Sequence, residues 1–132
     1  MPSVSVLGTG VDLVENERMR EILERWGSRL KDRVFLDREQ AYCEAKASPW
    51  IYYAARFAVK EAVSKAFGTG IGPQLNWRDI EVIRDVESGA PSVRFSERGT
   101  AFAKSRGVDE VLVSLSHTRS FAVAQALLVG RR

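Results

Sequence analysis

Cysteine and histidine are nearly absent: the 132 residues hold one of each, Cys43 and His117. A lone cysteine excludes an internal disulfide, and with a lone histidine it argues against a zinc site. Cys43 falls in an expected helix with no histidine nearby, the setting of an inert thiol rather than a nucleophile. Apolar runs long enough to span a bilayer are missing, and so is a basic-then-apolar leader, so the expected home is the reducing cytoplasm. No linker, low-complexity tract or internal repeat breaks the chain, and residues 1–132 read as a single domain. A large charge imbalance is lacking too. The net charge of +3 admits an acidic partner but does not argue for nucleic acid, and the aromatic-and-basic strand motif of an RNA-binding sheet is absent. What is present is ordinary for a folded domain: 45% hydrophobic and 28% charged residues, enough for one core.

Ser3 to Val14 read as a first strand. Strict alternation puts Val4, Val6, Gly8, Gly10 and Asp12 on one face, where the two glycines clear space for a packed helix or a ligand. Asn16 is expected to cap a helix ending near Trp26, with Gly27 as the stop. An apolar stripe of Met19, Ile22, Leu23 and Trp26 runs along that helix beside a basic stripe of Arg18, Arg25 and Arg29. Asp37 followed by Gln40 reads as a capping box for a short helix to Lys46, and Pro49 restarts the chain into a helix from Trp50 to Phe67. Asp79 to Val86 and Ser92 to Phe95 form a hairpin, and Ser96 caps a helix from Glu97 to Arg106. Glu110 to His117 and Ser120 to Val129 form a last hairpin with Thr118-Arg119 at its tip. The order predicts an α+β fold: a mostly antiparallel sheet of about five strands packed by helices.

Three features carry chemistry. Asp12 stands near a strand end, Glu61 and Lys65 lie one turn apart on the long helix, and Ser116-His117 lie at a hairpin tip. Two readings of the Glu61/Lys65 pair stand side by side. One is an i,i+4 surface ion pair followed by the Gly68 cap; the other is a clamp for a metal-bound phosphate, with backbone N–H groups from Gly68 to Gly72. Ser116 and His117 are adjacent in a strand and point to opposite faces, so they do not make a nucleophile and its base. Separated carboxylates suit a hard cation such as magnesium, which takes one or two carboxylates and fills its octahedron with phosphate oxygens and water. The Arg stripe also has two readings, a solvated face or a landing site for an acidic protein.

The blocks Gly8-Thr9-Gly10-Val11-Asp12-Leu13-Val14-Glu15, Phe57 to Gly72 (FAVKEAVSKAFGTGIG) and Ser114-Leu115-Ser116-His117-Thr118 resemble, in order and nearly end to end, the holo-acyl-carrier-protein synthases. These are the short bacterial 4′-phosphopantetheinyl transferases. The resemblance implies that coenzyme A donates its phosphopantetheine arm to a serine of apo acyl carrier protein, releasing adenosine 3′,5′-bisphosphate, a step of fatty acid biosynthesis. It implies that Asp12 and Glu61 hold Mg2+ against the pyrophosphate, that Lys65 neutralises or protonates the leaving phosphate, and that Glu61 or a metal-bound water takes the serine proton. It further implies that Asp12, Arg56, Lys65, Gly68, Thr69, Gly70, Ser116, His117 and Thr118 bind coenzyme A. Arg18, Met19, Ile22, Arg25 and Arg29 would dock the acidic carrier. Family members of this length commonly form trimers with active sites between subunits, which would put Asp12 and the Glu61 helix on different chains or at a shared seam. Pro73-Gln74 and Arg119 depart from the family pattern, where a basic residue and glycine, and an acidic or polar residue, are common. The rival reading is a mildly basic, non-catalytic module that binds an acidic protein or RNA. It explains the Arg stripe but not the co-occurrence of Asp12, Glu61, Lys65 and the glycine loop.

Overall fold

A strand of 12 residues, β1 (Val4–Glu15), opens the chain and runs without a break into α1 (Asn16–Trp26). The structure, a computed structural model, describes residues 3–131; Met1, Pro2 and Arg132, which the single-domain reading also takes in, lie outside the described residues. After α1 come α2 (Ser28–Val34), α3 (Asp37–Glu44), α4 (Pro49–Ala66) and a 3₁₀ turn at Trp77–Asp79. The hairpin β2 (Ile80–Arg84) and β3 (Pro91–Phe95), the helix α5 (Glu97–Ser105) and the hairpin β4 (Val108–His117) and β5 (Phe121–Arg131) complete the domain. The fold is α+β and its strand pairs are antiparallel, as expected.

Several details differ from the sequence reading. The five strands divide into a sheet of order β1-β5-β4 and a separate β2-β3 pair. The register of β1 slips between Val6 and Gly8, so strict alternation fails there. Beyond the slip, Gly8, Gly10, Asp12 and Val14 face inward, while Val4, Val6, Val11 and Leu13 are exposed. Gly27, at φ 53°, turns a corner into α2, a helix its polar sequence did not announce. Asn16 caps nothing, since α1 has no side-chain cap bond. Nor does Asp37 open a capping box with Gln40: Glu39 reaches back to the Leu36 N–H (2.8 Å), while the Gln40 amide donates to Lys31 and Phe35 carbonyls.

The fold is organised around α4. Ala58, Ala62 and Ala66 give it a small-residue face, and the glycines of β1 let it approach closely. A Cβ at Gly8 would stand 2.2 Å from the Ala66 carbonyl oxygen, and one at Gly10 would stand 2.0 Å from that of Ala62. The space those glycines clear is therefore filled by the helix, not by a ligand. Val59, Val63, Leu75, Ile80, Ala126 and Leu128 build one core around it, and Met19, Phe35, Cys43 and Tyr53 build a second toward its N-terminus. One residue before Glu61, Lys60 is fully buried and donates to Glu39 Oε1 (2.8 Å) and to the carbonyls of Ile80 (2.7 Å) and Trp77 (3.0 Å). The other oxygen of Glu39 accepts the Val82 N–H at 2.9 Å. This knot ties α3, α4 and β2 together with every Lys60 proton used.

Candidate active site

Close packing of β1 on α4 decides which side chains meet. Asp12, inward on the last third of β1, lies within hydrogen-bond distance of Lys65 on α4: Nζ donates to Asp12 Oδ1 at 2.8 Å and to the Val11 carbonyl at 3.3 Å. Glu61, one turn before Lys65, shares their cleft, a space of about 590 Å³ also lined by Arg18, Met19, Ile22 and Phe57. The Glu61 carboxylate takes no hydrogen bond or ion pair among the described residues. Burial, then the neighbouring Asp12 charge, pushes it above the usual carboxylate range, with Lys65 pulling the other way. Lys65 is held above its ordinary value by its bond to Asp12, so it is a firm cation. The arrangement is an acidic pair with free oxygens beside a cation, open to solvent, where a divalent ion and a phosphate fit together. Two carboxylates make an incomplete shell; no cluster of three or more metal-ligating side chains occurs among the described residues.

All three groups meet within a single chain. Arg56 and His117 lie elsewhere. They line a second cleft of about 340 Å³, with Lys46 and Arg84 as further cations and no carboxylate on its wall. Arg56 is 5% exposed, with its guanidinium 4.0 Å from the Tyr42 ring centroid and its buried Nε unpartnered. The His117 ring packs edge-on to Tyr52 at 5.8 Å. At roughly 100° per residue, Arg56 stands about 140° round α4 from Glu61 and about 180° from Lys65. Lys46, just beyond the end of α3, and Arg84, the last residue of β2, escaped the sequence reading because neither has a motif around it.

The other expected residues divide. Gly68 and Gly70, at φ 79° and 64°, terminate α4, and their N–H groups donate to the Lys65 and Ser64 carbonyls at 2.9 and 3.1 Å. The Gly72 N–H goes to Leu75. The three glycine N–H groups of the expected phosphate cradle are thus already engaged, two of them in capping the helix; among the described residues no backbone partner is found for the N–H groups of Thr69 and Ile71. Gly68, Thr69 and Gly70 line neither cleft, and the Thr69 hydroxyl donates to the Gly70 carbonyl. Thr118 uses its hydroxyl within the hairpin tip, accepting from Phe121 N–H at 3.1 Å, and Ser116 is exposed outside both clefts. On α1, Arg18 and Ile22 line the first cleft and Arg25 is exposed, while Arg29 is exposed on α2. Met19 is 3% exposed and belongs to the core, so the exposed apolar anchor expected there is instead a buried floor. Cys43 is buried, with its thiol pushed up to about 12 by that burial, and stays protonated at neutral pH.

A deep α4–β1 contact with two carboxylates and a lysine at its mouth defines the class. Residues 8–126 match the family model of the 4′-phosphopantetheinyl transferase superfamily, and the chain belongs to that superfamily. Within it, the relatives are holo-acyl-carrier-protein synthases. The chain is 43% identical over 122 residues to the holo-[acyl-carrier-protein] synthase of Chlamydia trachomatis, covering 92% of this chain and 98% of that one. Its fold superposes on the holo-[acyl-carrier-protein] synthase of Neisseria meningitidis with a TM-score of 0.88 at 27% identity, covering 94% and 98% of the two chains. It also matches the Bacillus anthracis synthase in complex with CoA (3′,5′-ADP), with a TM-score of 0.79 at 32% identity over 95% and 97%. The resemblance read from the three sequence blocks holds, and the chain is a phosphopantetheinyl transferase.

Proposed function

We propose that this phosphopantetheinyl transferase, which moves the arm of coenzyme A to a serine of acyl carrier protein, does its chemistry in the Asp12–Glu61–Lys65 cleft. Asp12 and Glu61 would hold Mg2+, and the ion would supply charge neutralisation at the coenzyme pyrophosphate. The observation that carries this is the joint placement of a tethered carboxylate, an unpartnered one and a firm cation. Lys65 lies where it meets the departing phosphate oxygen, as a cation or a proton donor. Glu61, ionised, is the base for the carrier serine, directly or through water. Arg18, Ile22, Arg25 and Arg29 face the acidic carrier, with Met19 as the floor beneath them. Gly68, Thr69 and Gly70 flank the coenzyme arm one turn beyond Lys65, the two glycines by shape rather than by N–H donation.

The second cleft takes the remaining anionic end of coenzyme A, with Arg56, His117 and the adjoining Ser116 and Thr118. Because Arg56 and Lys65 lie on opposite sides of α4, one coenzyme molecule meets both only if two copies of the chain share it. The outer sheet face offers a seat for that second copy: Val11 and Leu13 of β1, Leu112 of β4, and Phe121 and Val123 of β5 are all exposed. The homotrimer with shared sites and the cytoplasmic role in fatty acid biosynthesis are carried into this reading from the family resemblance. Among the described residues no helix is long and apolar enough to cross a membrane.

The test is the intact mass of an apo acyl carrier protein incubated with coenzyme A and enzyme. The phosphopantetheine increment is expected with magnesium, and it disappears with chelator, with Glu61→Gln and with Asp12→Asn. Mixing Arg56→Ala and Lys65→Ala proteins, each inactive alone, restores part of the increment if sites are shared between copies. Full activity of Glu61→Gln would refute the metal assignment, and failure of the mixture would refute the shared site.

A further inference from the structure

Asn16 is 1% exposed at the junction of β1 and α1, and it caps no helix. It is instead bonded to the β4–β5 tip, three consecutive residues with exposed side chains. Its Nδ2 donates to the Thr118 carbonyl at 2.9 Å and to the Arg119 carbonyl at 3.1 Å, and its backbone N–H donates to the Ser120 carbonyl at 2.9 Å. One residue thus gathers all three carbonyls of the tip. The tip's own donors are also engaged: Thr118 N–H goes to the Phe121 carbonyl, and the Ser120 and Phe121 N–H groups go to Thr118 Oγ1. Among the described residues the Arg119 N–H is the one backbone donor of the tip left over. A tip with its carbonyls drawn inward and a free N–H beside an arginine and His117 is suited to an anion.

The anchor has a cost that packing alone does not explain. Asn16 Oδ1 is buried without a partner, a penalty set against the two tip carbonyls that the Nδ2 of the same side chain satisfies. A feature kept at such a cost is expected to serve the shape of the tip. It also joins two functional surfaces, since α1, which carries Arg18, begins at the residue that holds the tip carrying His117.

We propose that Asn16 is a positioning residue for coenzyme A binding: it sets the Thr118–Ser120 tip so that His117 and the Arg119 N–H meet an anionic group of the coenzyme. This rests on the reading of that tip as a coenzyme contact. Asn16→Leu removes the side-chain bonds, and Asn16→Asp turns an acceptor toward two carbonyls at nearly unchanged volume. Both are expected to raise KM for coenzyme A about tenfold, with KM for the apo carrier and kcat within about twofold, the pattern of lost ground-state binding. His117→Ala is the control. If it raises the coenzyme KM and the Asn16 variants do not, the proposal fails while the reading of the tip stands. If neither raises it, that reading fails and the proposal with it. A joint loss of kcat and both substrates' KM, matching the unfolded fraction seen by circular dichroism, would make Asn16 merely structural and overturn the proposal. Should neither Asn16 variant fold, amide hydrogen exchange in the wild type decides: coenzyme A is expected to slow exchange at Arg119, and unchanged exchange there overturns the proposal.

Discussion

Two lysine–carboxylate pairs sit on α4, one residue-type match with opposite fates. Lys60–Glu39 and Lys65–Asp12 both close at 2.8 Å, but the first pair is 0% and 1% exposed and the second 49% and 15%. Around Lys60 the acceptors are complete: a carboxylate and two carbonyls take its three protons. Around Lys65 the acceptors are not complete: Asp12 and the Val11 carbonyl take two of its protons, and Glu61 stands unpartnered nearby with solvent at the mouth. The same pair is therefore a structural tie where every valence is used and a reactive site where some are left over. Distance alone does not distinguish them; the surrounding polar inventory does.

The largest expected effect on this contrast comes from the open side. Glu61→Gln or Asp12→Asn is expected to lower transfer by at least about 10³-fold, since metal and electrostatic terms carry most of the barrier. Steady-state assay with a folded variant checks this. Lys65→Met follows, with transfer down about 10²-fold and stability changed by less than about 1 kcal/mol, because an exposed pair contributes little to folding. Lys60→Met is expected to do the reverse. It strands a buried carboxylate, costs about 3–5 kcal/mol in urea unfolding, and leaves turnover per folded molecule near wild type. Equal stability losses at the two lysines would erase the distinction between tie and site.

The smallest effect is a matter of pH. Because burial, then Asp12, raises the Glu61 pKa in the folded protein, the folded state holds that proton more tightly than the unfolded chain does. Stability from this group is present below the ordinary glutamate value and falls as pH climbs from there to the raised one. Metal-free Glu61→Gln is expected to lack that fall and to melt slightly above wild type at neutral pH. A variant that melts below wild type there would contradict the assigned burial.

Much of this was legible in the sequence. The α4 helix, its Gly68 stop, both hairpins and the Ser96 cap were signalled by local chemistry, and Ser96 Oγ does accept the Gly99 N–H at 3.0 Å. Other parts were set by contacts that spacing does not encode. The slip in β1 reassigns the faces of Val4 and Val6. Helix α2 hid behind Gly27, which reads as an ending although the chain only turns there. Asp12 and Lys65 were candidates on residue type, yet their meeting depends on Gly8 and Gly10 admitting the helix. In the glycine loop all five N–H groups were counted as donors, whereas the helix end claims those of Gly68 and Gly70 and Leu75 takes that of Gly72. Asn16 carried the strongest local signal for a cap and spends its side chain on a hairpin 102 residues away.

Coenzyme A binding measured by calorimetry, with and without Mg2+, tests most directly whether Asp12 and Glu61 make the open pair a metal site. Wild type is expected to bind coenzyme A at least about tenfold more tightly with magnesium, and Glu61→Gln to show no such gain. An equal gain in Glu61→Gln would contradict the account.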